Sequence, residues 1–170
     1  QGGNQDIQGD AYSPGLDSNY SSLSLGANYR MSDAFTFGAA ISVGTQDADT
    51  GSIGRIEGVS VIGSIYGQYQ NNGLYVRGML GGGSTSLDIT RNIQIGPLLR
   101  QEIGKPGVSQ QAVSAEVGYM FEGDSLQHGP FANFGWQKLS VEAYNEEGVS
   151  STAMNFSEFE RKSQLTSLGY

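Results

Sequence analysis

The chain has no cysteine, and 170 residues hold only 4 prolines, 1 histidine and 1 tryptophan. Without cysteine there is no disulfide framework, a composition that suits an exported protein without bridges as well as a cytosolic one. Charge is scarce, at 15% of residues, and one-sided: 9 Lys and Arg against 17 Asp and Glu leave a formal net charge of -8. With a sequence pI near 4.4, the chain lacks the basic patch through which a domain holds nucleic acid, so no nucleic-acid partner is expected. Hydrophobic residues make up only 37%, and no apolar run approaches the roughly 20 residues of a transmembrane helix. A helical membrane protein is excluded. A β-barrel is not, because its strands need about 9–11 residues with one lipid-facing side. Gln1 opens no charged start and apolar stretch of a secretory leader, so the chain is expected to begin inside a mature protein or a processed fragment.

Gly, Ser, Asn, Gln and Thr fill the sequence instead, in a rhythm of two-residue alternation. Short joints fall at Ser32-Asp33-Ala34, at Asn71-Asn72-Gly73 and from Glu122 to Gly129, while long polar connections fall around Asp47 to Glu57, Thr90 to Ser109 and Asn145 to Asn155. Tight turns on one side and long loops on the other predict an all-β, antiparallel, up-and-down transmembrane β-barrel in an outer membrane, with the long loops extracellular.

Leu23, Leu25, Ala27 and Tyr29 alternate with small or polar residues, as do Phe35, Phe37, Ala39, Ile41 and Val43 after the first short joint; each set lines one face of a strand and the two form a hairpin. Val59 to Gln70 is a third strand, Asn72-Gly73 a hairpin turn, and Leu74 onward a fourth. Val113, Ala115, Val117, Tyr119 and Phe121 mark the next. Ala132, Phe134 and Trp136 then hold one phase and Leu139, Val141 and Ala143 the other, which predicts a β-bulge at Gln137-Lys138. Phe156 to Tyr170 is a last, more polar segment, and Gln1 to Asp10 reads as the tail of a further strand. Tyr29, Phe35, Phe37, Tyr69, Tyr119, Phe121, Phe134 and Trp136 lie on the apolar face near short joints, as a periplasmic aromatic girdle would. A soluble β-sandwich alternates in the same way but does not account for the parity of short and long joints or the one-sided aromatics.

Chemistry is sparse. Gly123-Asp124-Ser125-Leu126 spells the nucleophile signature of a class of serine esterases, yet Ser125 needs a fixed base and an oxyanion hole, and the only histidine, His128, sits in the same turn; a polar turn is the simpler reading. Gly81-Gly82-Gly83-Ser84-Thr85 lacks the lysine of a phosphate loop. Asp47, Asp49, Glu146 and Glu147 match no calcium-loop spacing. No catalytic residue, metal or cofactor is therefore expected. Arg30, Arg77, Glu116, Lys138 and Glu142 fall on the polar face of strands and are expected to form a polar network in the lumen, with Arg77 close to Glu116.

His128-Gly129-Pro130-Phe131-Ala132, followed by Trp136, Leu139, Val141 and Tyr144, resembles a strand region of autotransporter β-domains. So do Leu25-Gly26-Ala27-Asn28-Tyr29-Arg30, Phe37-Gly38-Ala39-Ala40 and Ile65-Tyr66-Gly67-Gln68-Tyr69. The likeness runs over nearly the whole chain and is greatest to the translocators of GDSL-type esterase autotransporters. It implies that residues 1–170 are part of a twelve-stranded translocator barrel in a Gram-negative outer membrane, inserted by the barrel-assembly machinery. Its partners would be lipid and its own passenger segment in the lumen, and the chain would not itself be an enzyme, esterase activity belonging to an N-terminal passenger outside it. Seven strand-like segments plus the remnant at Gln1 fall short of twelve, so an incomplete portion of the barrel is expected. The alternatives are a complete eight-stranded barrel for adhesion or permeability and a soluble hydrolase using Ser125 and His128.

Overall fold

The computed structural model describes residues 2–7, 15–51, 53–123, 126–148 and 151–170. In chain order the strands are β1 (Gly2–Ile7), β2 (Leu16–Arg30), β3 (Phe35–Asp49), β4 (Gly54–Asn71), β5 (Leu74–Ile95), β6 (Leu98–Gly104) and β7 (Gly107–Tyr119). There follow β8 (Phe121–Glu122), β9 (Gln127–His128), β10 (Phe131–Val141), β11 (Tyr144–Asn145), β12 (Asn155–Phe156) and β13 (Phe159–Gly169). One antiparallel sheet runs in the order β1-β2-β3-β4-β5-β7-β10-β13, with β6 folded back on the far end of β5. The small strands pair as two hairpins, β8 with β9 and β11 with β12. Among the described residues no second large sheet packs on this one, and apart from Pro106 no apolar side chain is buried, which removes the sandwich.

Because each long strand pairs with the next long strand in sequence, the alternation carries across the ladder. Tyr29 faces Phe37, Leu25 faces Ile41 and Leu23 faces Val43, so the apolar stripes of β2 and β3 fall on one side, while Ile62 and Tyr66 of β4, Met79 of β5 and Leu139 and Val141 of β10 lie on the other. On the other side, Thr36, Gly38, Ala40, Ser42 and Gly44 are more sheltered than their outward neighbours; the sheet curls toward this polar face, which is concave.

At one end the joints are short. Asn72 and Gly73 both have positive φ, 47° and 84°, the primed hairpin turn whose twist matches that of the flanking strands. At the other end, much of what reads as loop is strand. Only residues 50–53 separate β3 from β4, and β5 runs 22 residues to Ile95 before turning back as β6. Backbone pairing needs no apolar face in water, so these extensions carry no periodic signal.

Two expectations are settled by register. Of the segment expected over Gln1 to Asp10, Gly2 to Ile7 is a strand paired with Ser21 to Leu16, and residues 1 and 8–10 lie outside the described residues. The β-bulge at Gln137-Lys138 is not there. Phe131 to Val141 pairs without a break with both β7 and β13, so the change of apolar phase reflects a change of surroundings along a straight strand. Gly73→Val, which forces a β-branched residue into the left-handed region at a cost of about 1–2 kcal/mol, is expected to lower the folded, heat-modifiable fraction of the full-length protein in gel migration, with Gly73→Asn close to wild type.

Candidate functional site

The convex face is the first functional surface. A row of directly paired residues, Phe35, Tyr69, Val76, Val117, Ala132 and Leu168, crosses it from β3 to β13 and is apolar throughout. Higher up, the row beginning Leu23, Val43 and Val61 continues as Ser84, Ser109, Ser140 and Glu160. The apolar belt therefore slides down the strands as it crosses the sheet. On β13 its upper edge is Leu168, eight residues from the Glu160 that shares the row of Leu23. Eight residues are about 26 Å along a strand and the six steps from β2 to β13 about 29 Å across. That slope corresponds to strands tilted by about 40°, the tilt of membrane barrels. A flat layer of hydrocarbon meeting tilted strands produces such a drift.

Aromatic rings gather at the lower part of this belt. Tyr29 and Phe37 have centroids 5.4 Å apart and Phe35 and Phe37 6.3 Å, and Tyr69 is paired with Phe35. Tyr119 ends β7 and lies 4.8 Å from Phe121 of β8. Phe134 and Trp136 take outward positions on β10, opposite Ala115 and Val113.

The concave face carries the other surface. One inward position per strand lines up as Arg30, Thr36, Gln68, Arg77, Glu116, Asn133 and Ser167, a row with no apolar member. Arg77 and Glu116 are direct cross-strand partners with Nη1 3.5 Å from Oε1. The Arg77 guanidinium also rests over the Tyr75 ring, 4.9 Å from its centroid, a cation–π contact that holds it in place. Tyr66 lies over Gly38, where a Cβ would come within 2.6 Å of its ring, and its hydroxyl donates to Asn28 Oδ1 at 2.5 Å.

The five charges expected to form one network separate. Arg30, Arg77 and Glu116 share the concave row, and Arg77 and Glu116 meet. Lys138 does not join them: it shares the outward face of Phe134 and Trp136 and pairs with Glu160, which also reaches Lys162 at 3.7 Å. The unbroken ladder is the reason, since the expected bulge would have turned Lys138 inward. Glu142 lies beyond the end of β10, its carboxylate against Gly107. His128 meets Tyr170, Nδ1 to hydroxyl 2.9 Å; Ser125 lies outside the described residues.

A polar clasp above the belt has no counterpart in the sequence reading. Arg91, near the far end of β5, grips Glu146 through both arms, Nε to Oε1 at 2.9 Å, and donates to the Thr152 carbonyl at 3.1 Å. Met154 N–H donates to Glu146 Oε2 at 2.9 Å, and Thr152 Oγ1 donates to the fully buried Glu102. Ile103 and Glu147 form a β-bridge. The connection from β10 to β13 is thus strapped to the β5–β6 hairpin. The Arg91 guanidinium holds the Glu146 carboxyl below the usual carboxylate range, and Glu146 in turn raises Arg91; burial pushes the Tyr144 phenol up.

A family model described as Autotransporter beta-domain matches residues 1–170. Among curated proteins, Esterase EstA of Pseudomonas aeruginosa is 30% identical over 164 residues, covering 90% of this chain and 24% of that protein. Lipase 1 of Photorhabdus luminescens is 28% identical over 163 residues, covering 92% and 25% respectively. The chain spans about a quarter of the length of these relatives. Among solved structures, the translocator domain of autotransporter NalP from Neisseria meningitidis superposes with a TM-score of 0.80 at 12% identity. The match covers 98% of this chain and 56% of that one, a likeness of fold.

Two outcomes follow for the full-length protein. Ile41→Arg puts a charge in the belt, at a cost of about 2–4 kcal/mol near its middle, and is expected to reduce the heat-modifiable fraction sharply, whereas Ser42→Arg, one residue along and inward, is expected to leave most of it. For the clasp, a carboxyl lowered in the folded state stabilises above its ordinary value of 4.5 and loses that contribution as pH falls through the lowered folded value. Protease cleavage between residues 142 and 158 is therefore expected to accelerate in acid, and Glu146→Gln to cleave rapidly even at neutral pH.

Proposed function

The chain belongs to the autotransporter β-domain family of the Gram-negative outer membrane, and on that premise we propose that it anchors an N-terminal passenger and supports the passenger's passage to the cell surface. The family is one of translocators, without a catalytic role of its own. The observation that carries the reading is the drifting apolar belt on one face, combined with a sheltered polar face on the other. Lipid holds the first, and the second accommodates a connecting stretch of polypeptide.

Residues 1–170 form part of the wall of a twelve-stranded barrel, closed by further strands that pair with the free edges of β1 and β13. The barrel-assembly machinery inserts it. Tyr29, Phe35, Tyr69, Tyr119, Phe121, Phe134 and Trp136 make up the aromatic girdle at the periplasmic boundary, where ring and headgroup meet. The clasp and the β5–β6 hairpin then stand outside the cell. The names of the relatives, an esterase and a lipase, support a passenger that hydrolyses acyl esters, with that chemistry outside this chain.

In the full-length precursor, deletion of residues 1–170 is expected to abolish surface exposure of the passenger, read by protease accessibility and by hydrolysis of a short acyl ester on intact cells. Passenger that still reaches the surface without this segment would overturn the proposal.

A further inference from the structure

Charge on the concave face runs opposite to that of the chain. Below the clasp, the inward charges of the seven long described strands are Arg30, Arg77 and Arg161 against Glu116 alone. Asp17, Asp47, Asp49, Glu57, Asp88 and Glu160 face outward, in a chain of net charge -8. The acids nearest the lower row are Glu116 within it and Asp33 and Glu122 in the turns beneath, which line the same opening as Arg30.

The guanidiniums are available. No ion pair involves Arg30 or Arg161 among the described residues, and Arg77 meets Glu116 through a single nitrogen while its side chain stays 55% exposed. Tyr75 beneath it fixes its position. Beside them Asn28, Thr36, Tyr66, Gln68 and Asn133 line a recess of about 430 Å³ on this wall. Directly above lie Asn28, Gly38, Tyr66, Met79 and Ser114, and one inward row higher the positions shrink to Gly26, Ala40, Ser64, Gly81 and Ala112. The wall thus carries a cationic, donor-rich row at its foot, with Tyr66 and Met79 standing between it and a band of small side chains.

Resting on the translocator reading above, we propose that this row is an acid-seeking contact, and that the passenger's connecting segment presents carboxylates to Arg30 and Arg77 as it lies in the lumen. Arginine suits the task because its fixed fork of donors matches a carboxylate even when one arm is already engaged. Thr36, between Arg30 and Gln68 in the row, lies beside the segment.

The test uses the full-length precursor with cysteine at Thr36→Cys and single cysteines placed along the connecting segment. Disulfide cross-links are expected at positions flanking Asp or Glu. Arg30→Glu, which orphans no acid, is expected to lower cross-link yield and surface display about fivefold or more while the barrel stays heat-modifiable. Replacing the facing acid of the segment by Lys restores both. The paired change Arg77→Gln with Glu116→Gln removes a charge of each sign, and a smaller loss is expected. Unchanged cross-linking and display in folded Arg30→Glu, or cross-links that avoid acidic positions, would overturn the inference while leaving the translocator function standing. Display that does not depend on residues 1–170 would instead overturn the function.

Discussion

In hydrocarbon a backbone N–H has no water to bond, so every amide must find a carbonyl within the protein. A helix meets that demand alone; this chain, with its short apolar half-runs, meets it only by laying each strand against the next. The continuous antiparallel path from β1 to β13 is the result. It makes register the central quantity of the structure, because one slipped residue would exchange Leu25 and Ile41 for Ser24 and Ser42 on the lipid side. The tight turn at Asn72-Gly73 and the regular pairing of β4 with β5 hold that register in place.

Tilt follows from the same pairing once the sheet curls. It explains why apolar residues reach up to Leu23 on β2 yet stop at Trp136 on β10, and why Lys138 can face outward without meeting hydrocarbon. The strands then continue past the belt as polar ladders, where the Arg91–Glu146 clasp ties the overhanging hairpin to the connection before β13. Inside, rings over glycines and the row from Arg30 to Ser167 set what the concave wall offers to a neighbour.

Much of this was legible in the amino-acid order. Alternation marked β2, β3, β4, β5, β7 and β10, the turn residues marked the short joints, and the meeting of Arg77 with Glu116 could be placed by counting from those joints. The signal failed where its physical cause ends. Beyond the membrane no face need be apolar, so β6 and the upper parts of β3 to β5 looked like loop. At Lys138 the outward face passes from apolar to charged along an unbroken ladder, and in the sequence that passage looks the same as a change of face. The clasp joins residues 55 apart in sequence through side chains of no periodic pattern, and only the folded sheet brings Arg91 to Glu146.

The most direct measurement compares two sites in one register row. Single-cysteine proteins labelled at Leu23→Cys and Ser140→Cys, reconstituted full-length in lipid vesicles, report burial by quenching with a lipid-soluble and a water-soluble agent. Tilted strands in a flat bilayer predict that the label at 23 is reached only from the lipid and the label at 140 only from water. Equal quenching of both labels by the aqueous agent, or by the lipid agent, would contradict the account.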